Sequence, residues 1–387
     1  MSVVIAGYAR TPFVKYNGVF STVPAVALGA HAVTAALARA GVDPASVDYL
    51  YGGQVLQAAT GQNPARQTAV AAGIPMTTPA ATLNVVCLSG MEAIVAGVRL
   101  IEAGEADVVV AVGQESMTLA PHAWSGSRAG KKYGAIELLD TMEHDGLTDA
   151  FEKRSMGAST EDFNGPLGLG REQQDAWAAA SHARLAASVA FQAGEIEPFE
   201  VPGRKPVVAD HDDGLRADTT VETLAGLRPA FGGGGTITAG NSSQITDGAA
   251  AVVLVREGTP LRQAPLARIR SHAWVSGPDV SLHAQPANAI TAALSRAGLA
   301  ASDLVAVEIN EAFAAVSVYS TRALGVDPAI VNANGGAIAL GHPIGASGTR
   351  IVGHLARRLG AIGMGSVGAA GICGGGGQGA AVVLEAL

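Results

Sequence analysis

The chain carries little charge. Only 15% of its 387 residues are Asp, Glu, Lys or Arg, where an average soluble domain has roughly 25%. So few charges cannot coat a large monomeric surface, and a homo-oligomer, dimer or tetramer, is expected. The net charge of −8, with no basic tract of five or more, argues against a nucleic-acid partner. No uninterrupted apolar run is present: the longest charge-free stretch, Leu359 to Leu384, is broken by glycines throughout and reads as no membrane span. Met1 to Ala9 reads as a strand start without a basic n-region and apolar h-region, so no signal peptide is expected and the cytosol is the expected compartment. Cysteine is scarce. Cys87 and Cys373 alone exclude a disulfide framework and a four-cysteine zinc site. The nine histidines show no pairing at metal-ligand spacing, so no metal centre is expected. A phosphate loop ending in glycine-lysine-serine/threonine is missing, and Gly363 to Gly368, which fits the dinucleotide glycine pattern, precedes a strand instead of opening a helix.

What is abundant is glycine, at 50 residues, roughly double the usual share. With 48% hydrophobic residues the chain can bury a large core, and its length suits two or three domains. It also repeats itself. Ala32 to Gly41 recurs as Ala289 to Gly298 with eight of ten positions identical, at an offset of 257. Each copy reads as an alanine-rich helix stopped by glycine, followed by an apolar strand, Val47 to Tyr51 and Leu304 to Ile309. Thr82 to Val86 reads as a strand. A helix with Leu88, Met91, Ile94, Val95, Val98 and Ile101 on its buried face follows, then the strand Asp107 to Val112. At an offset near 258, Ser347 opens a helix to Arg358, with a glycine-rich strand from Ser366. Each half closes on a similar strand, Gly248 to Leu254 and Gly379 to Leu384. The fold class is therefore α/β, a duplicated unit of layered helices and mixed sheets. Expected boundaries are residues 1–116 completed by 235–260 for the first half and 261–387 for the second. A more polar insertion, 117–234, includes a helix near Arg171 to Gly194 and covers a site built on the scaffold.

Four segments carry chemistry. Cys87 falls at a strand-to-helix junction, where the helix N-terminus favours a thiolate; a free cysteine elsewhere is often only a small buried hydrophobe. His342 lies in a glycine-rich loop and matches Asn84 through the repeat, so the two halves place it opposite Cys87, where an imidazole can activate a thiol. A loop histidine capping a helix is the plainer alternative. Cys373 lies between two apolar strands beside Gly374 to Gly377, whose backbone N–H groups can approach a reacting oxygen closely. Asn310 ends a strand and begins a helix, as an N-cap or as a ligand group at the sheet end.

Together, in this order, the segments around Cys87, Asn310, His342 and Cys373 resemble the thiolase family along essentially the whole chain, in particular its acetyl-CoA acetyltransferases. The resemblance implies that Cys87 is the acylated nucleophile and that His342 activates it. It implies that Cys373 is the acid/base for the acetyl-CoA methyl proton. Asn310, through a water, would act with His342 on the thioester oxyanion, and the N–H groups of Cys87 and Gly375 would form the acylation oxyanion hole. It further implies CoA contacts at Leu147, Met156, Arg216, Ala239 and Ser243, with CoA thioesters as substrates and no cofactor. Ser155 stands where relatives often carry histidine, and Leu88 and Gln244 replace common glycines. Ser155 and Gln244 are expected to touch the acyl and pantetheine region and so to bear on chain length. The expected reaction joins two acetyl-CoA to acetoacetyl-CoA and CoA reversibly, by a ping-pong route. A 3-ketoacyl-CoA thiolase of fatty-acid degradation is the near alternative, and a non-catalytic CoA- or lipid-binding protein a distant one.

Overall fold

The computed structural model describes residues 2–387. In chain order the first half runs β1 (Val3–Arg10), α1 (Ala25–Ala40), β2 (Tyr49–Gly53), α2 (Pro64–Ala71), β3 (Ala80–Leu83), α3 (Ser89–Glu102) and β4 (Val108–Glu115). The insertion supplies α4 (Met156–Asn164) and α5 (Arg171–Ala187), and β5 (Thr246–Arg256) returns to the first half's sheet beside β1 and β4. The second half runs β6 (Ala267–Ser276), α6 (Gln285–Ala297), β7 (Leu304–Ile309), α7 (Ala314–Leu324), α8 (Ser347–Ile362), β8 (Val367–Gly374) and β9 (Gln378–Ala386).

The duplication is visible in the strand order. All these strands, with the short Val14–Lys15 pair on β5, form one ten-stranded sheet in the order β7-β8-β9-β6-β1-β5-β4-β2-β3. Read outward from the β1–β6 junction, the sequence of pairings is the same on both sides: antiparallel, antiparallel, then parallel. The repeated helices α1 and α6 both stop at a glycine in the left-handed region, Gly41 at φ 65° and Gly298 at φ 69°, where a side chain would be strained.

Period-two alternation sorts the strand residues into two cores. On β4, Val109 and Ala111 face a central core shared with α3 and α8, while Val108, Val110 and Val112 face an outer core with α1. The second half builds the matching outer core from α6, with Ile290 and Leu294 against Val307, Ala369 and Val383. The two halves of the sheet thus enclose α3 and α8 between them, with α1 and α6 packed on their outer faces. The two central helices approach at glycine: a Cβ on Gly90 would lie 2.6 Å from the Gly345 carbonyl oxygen, and one on Gly348 2.4 Å from the Met91 nitrogen. Only glycine permits that approach, and it brings the loops that precede α3 and α8 together.

Two expectations for secondary structure need correction. The strand expected over Thr82–Val86 ends at Leu83, because Asn84 to Val86 turn sharply ahead of α3. The helix expected near Arg171–Gly194 stops at Ala187 and restarts over Val189–Ala193, with Ser188 at φ −116° breaking the helical path between them.

Candidate active site

The turn before α3 presents Cys87. Asn84 Oδ1 accepts the Val86 N–H at 3.0 Å, Ser89 Oγ accepts the Val85 N–H at 2.8 Å and donates to the Val86 carbonyl at 2.6 Å. These bonds hold Val86 at φ 53°, a left-handed conformation that a β-branched residue adopts only under constraint. Val–Val sequence favours strand, so nothing local foretold this turn.

The four chemical side chains are all buried: Cys87 is 6% exposed, His342 8%, Cys373 1% and Asn310 0%. The backbone N–H groups of Cys87 and Gly375 favour the charged form of the Cys87 sulfur, and the Cys373 thiol is close enough to interact with it electrostatically. Burial nonetheless pushes the Cys87 thiol up to about 12, with the Glu115 charge adding to the rise and the two N–H groups only partly offsetting it. The expectation of a helix-stabilised thiolate is therefore corrected. The Leu88 and Ser89 N–H groups already bond to the Val85 and Val86 carbonyls, and dehydration of the charged form outweighs the helix field. Burial and the neighbouring Cys87 push the Cys373 thiol up as well.

His342 is oriented by a residue that sequence reasoning missed. Ser347 Oγ donates to the Pro343 carbonyl at 3.0 Å, so its lone pair accepts the His342 Nδ1–H at 2.6 Å, and Nε2 is left as the bare nitrogen. Nε2 stands 3.5 Å from Asn310 Nδ2, long for a hydrogen bond. Burial, with the Arg350 cation as a second cause, lowers His342 to about 4, so the imidazole is neutral at ordinary pH. Among the described residues no hydrogen bond joins His342 to Cys87. Ser347 was recognisable from sequence only as the first residue of a helix.

Asn310 is not an N-cap, as one reading had it. It follows β7 directly, whereas α7 starts at Ala314 with Phe313 as its cap. Its N–H donates to the Gly371 carbonyl on β8 at 3.0 Å, and its Oδ1 is buried without a partner among the described residues. Cys373 lies within β8 itself, and Gly375 to Gly377 form the turn to β9.

A cavity of about 900 Å³ is walled by Val55 and Val86 from the first half, Phe151 and Met156 from the segment between β4 and β5, and Gly375 and Gly376 from the second half. Val86 adjoins Cys87 in the chain, and none of the four chemical side chains itself lines the wall. Of the CoA contacts implied by resemblance, Met156 lines it. Leu147 lies between Gly146 and Thr148, which do. Arg216 and Ala239 are exposed and Ser243 is half-buried, its N–H bonded to the Ala312 carbonyl at 3.1 Å; none of these three lines the cavity. Ser155 caps α4, accepting the Ala158 N–H at 3.3 Å, and Gln244 donates to the Gly214 and Ile338 carbonyls at 2.9 and 3.1 Å. Contrary to expectation, neither side chain faces the cavity, because backbone carbonyls and a helix end engage both. Gln244 matters differently: its carbonyl accepts the His342 N–H at 3.0 Å. Leu88 is fully buried against Gly374 and fills the space behind the nucleophile turn.

Comparison with known proteins matches residues 3–258 to the thiolase N-terminal domain and residues 263–386 to the thiolase C-terminal domain. The chain belongs to the thiolase family. It is 52% identical to a probable acetyl-CoA acetyltransferase of Mycobacterium tuberculosis, covering 100% of this chain and 99% of that protein. It is 46% identical to an acetyl-CoA acetyltransferase of Chromobacterium violaceum, covering 100% of both. Among solved structures, this thiolase chain superposes on the Bacillus anthracis acetyl-CoA acetyltransferase with TM-score 0.96, at 36% identity and covering 100% of this chain and 99% of that one. On human mitochondrial 3-ketoacyl-CoA thiolase the TM-score is 0.94, at 37% identity over 100% of this chain and 98% of that one.

Proposed function

We propose that this thiolase transfers acetyl groups between CoA thioesters, interconverting two acetyl-CoA with acetoacetyl-CoA and CoA. The observation that carries the reading is two buried cysteines, Cys87 and Cys373, close enough to interact electrostatically, with the Cys87 and Gly375 backbone N–H groups favouring negative charge at the Cys87 sulfur. Donors so placed meet negative charge developing on a carbonyl oxygen attacked by that sulfur.

In the first half-reaction the Cys87 thiol gives its proton to the bare Nε2 of His342 as the sulfur attacks the thioester carbonyl. The carbon–sulfur bond to CoA breaks, the Cys373 thiol protonates the departing CoA thiolate, and acetyl-Cys87, a Cys373 thiolate and a protonated His342 remain. In the second, the Cys373 thiolate removes a methyl proton from another acetyl-CoA, and the resulting carbanion attacks the acetyl-Cys87 carbonyl. The carbon–carbon bond forms as the Cys87 sulfur leaves and takes back the proton held on His342 Nε2. The Nε2–H of the His342 protonated in the first half-reaction, with a water on the Asn310 Oδ1 that has no partner among the described residues, would hold the enolate oxygen. Both thiols are neutral at rest, so each proton must move as its bond forms, which suits a dry site. CoA would reach Cys87 through the cavity beside Met156, with Leu147, Arg216, Ala239 and Ser243 as further contacts along the inserted 117–234 segment.

Curated relatives at 44% to 52% identity that carry the name acetyl-CoA acetyltransferase support the short-chain reading. The near-equal likeness to a 3-ketoacyl-CoA thiolase favours keeping the longer-chain enzyme as the second reading. Thiolysis of acetoacetyl-CoA and of a long-chain 3-ketoacyl-CoA, compared as kcat/KM on one preparation, separates them. Preference for acetoacetyl-CoA is expected, and preference for the long chain would move the enzyme to degradation. We further propose a cytosolic homo-oligomer, on the low charge count; among the described residues no helix is long and apolar enough to cross a membrane. A particle of monomer mass in light scattering would remove the oligomer.

A further inference from the structure

The strand registers of the two halves give the active site a counterpart. Glu115 pairs with Gly248, and Cys373 with Gly379, at the start of the matching strands β5 and β9. Two residues earlier, Gly113 faces Gly53 at the end of β2, and Gly371 faces Ile309 at the end of β7. Glu115 is thus the equivalent of Cys373. Because Ser89 and Ser347 open α3 and α8, Gly345 is likewise the equivalent of Cys87. The two equivalents touch: Glu115 Oε2 accepts the Gly345 N–H at 3.0 Å. The same oxygen accepts the Val55 N–H at 3.0 Å, and Oε1 accepts the Leu56 N–H at 3.1 Å.

From this geometry we infer that Glu115 is a positioning residue for the reaction, clamping the loop that carries His342 and the Val55 wall of the cavity in register with Cys87. The inference rests on the acyl-transfer reading above. Three donors from two loops converge on one side chain, and only a carboxylate can accept from all of them; a glutamine offers one acceptor oxygen. The clamp is tight, since a Cβ on Gly345 would lie 2.7 Å from the Gln114 carbonyl and 2.9 Å from that of Gly53. Glu115 is fully buried and, among the described residues, no cation pairs with it. Leaving a carboxylate there is costly for folding alone, which favours a role in function.

The titratable groups acting across this contact are Asp247 on β5 and the Cys87 thiol. Burial, with Asp247 as a lesser cause, raises Glu115 to about 7 against the pull of its three N–H donors. Above that pH the carboxylate accepts all three. Below it the carboxyl carries its own O–H, one acceptor position is lost and the loops slacken.

The test is the pH dependence of Cys87 acetylation by acetyl-CoA, read by mass spectrometry, in the wild type, Glu115→Gln and Glu115→Asp. Wild-type acetylation should fall as pH drops through about 7, a step that neither His342 near 4 nor Cys87 near 12 can supply. Glu115→Gln should acetylate roughly 10–100-fold more slowly and lose the step, while Glu115→Asp keeps a step at reduced rate. A Glu115→Gln enzyme with the wild-type rate and profile overturns the inference. Should that variant not fold, Asp247→Asn decides: removing the neighbouring charge must move the step to lower pH, and an unmoved step overturns the assignment. Cys87 alkylation by iodoacetamide is followed in parallel. If the wild type forms no acetyl adduct, the acyl-transfer reading fails by itself, and the alkylation profile judges Glu115 by the same criteria.

Discussion

Where the first half places Cys87 ahead of its central helix, the second places Gly345; where the second half ends a strand on Cys373, the first ends it on Glu115. The same backbone therefore carries reactive thiols at one position and a hydrogen-bonded contact at its equivalent. At the thiol end the buried atoms are left unsatisfied: Asn310 Oδ1 has no partner among the described residues, and Asn310 Nδ2 meets His342 Nε2 only at 3.5 Å. At the Glu115 end each carboxylate oxygen has a donor within 3.1 Å. Unsatisfied groups await a substrate, and satisfied ones hold the frame that aims them.

That contrast breaks most sharply at the nucleophile. Cys87→Ala should reduce thiolysis of acetoacetyl-CoA by more than about 1,000-fold, and turnover near the wild-type rate would remove Cys87 from the mechanism. Next comes the residue equivalent to Glu115. Cys373→Ser should slow condensation by about 10²–10⁴-fold yet leave a stoichiometric acetyl adduct on Cys87, detectable by mass; unchanged condensation would end its acid/base role. A smaller effect is expected at Ser347. Ser347→Ala leaves the buried Nδ1–H of His342 without its acceptor, and a kcat loss of about tenfold with KM for acetoacetyl-CoA little changed should follow. An equal change in both parameters would mean that the serine only supports the fold.

Much of the scaffold was legible because its signals are local. The strand Leu304–Ile309 was expected at the bounds it has, and α3 begins one residue after its expected first apolar position, Leu88. The glycine stops at Gly41 and Gly298 were read from the repeat itself. The site was legible as residue types but not as states. Cys87 looked like a thiolate because its place in the chain precedes a helix, whereas burial decides its protonation. Asn310 looked like a cap because a strand and a helix flank it, yet the helix starts at Ala314 and leaves its amide to His342. Ser347 and Glu115 gave no signal, since a serine at a helix start and a glutamate at a strand end are common.

By itself the sequence determined the duplication, the order of strands and helices, the family and the four reactive segments. Each of these depends on periodicity, glycine's access to left-handed backbone, or residue identity, all of which are written locally. Only the tertiary structure decided which atoms meet: the Asn310 amide beside His342, the Ser347 hydroxyl at His342, and the Gly345 N–H at Glu115. It also decided the charges, because the free energy of ionising a buried thiol, imidazole or carboxyl is set by the water it has lost and the dipoles packed around it.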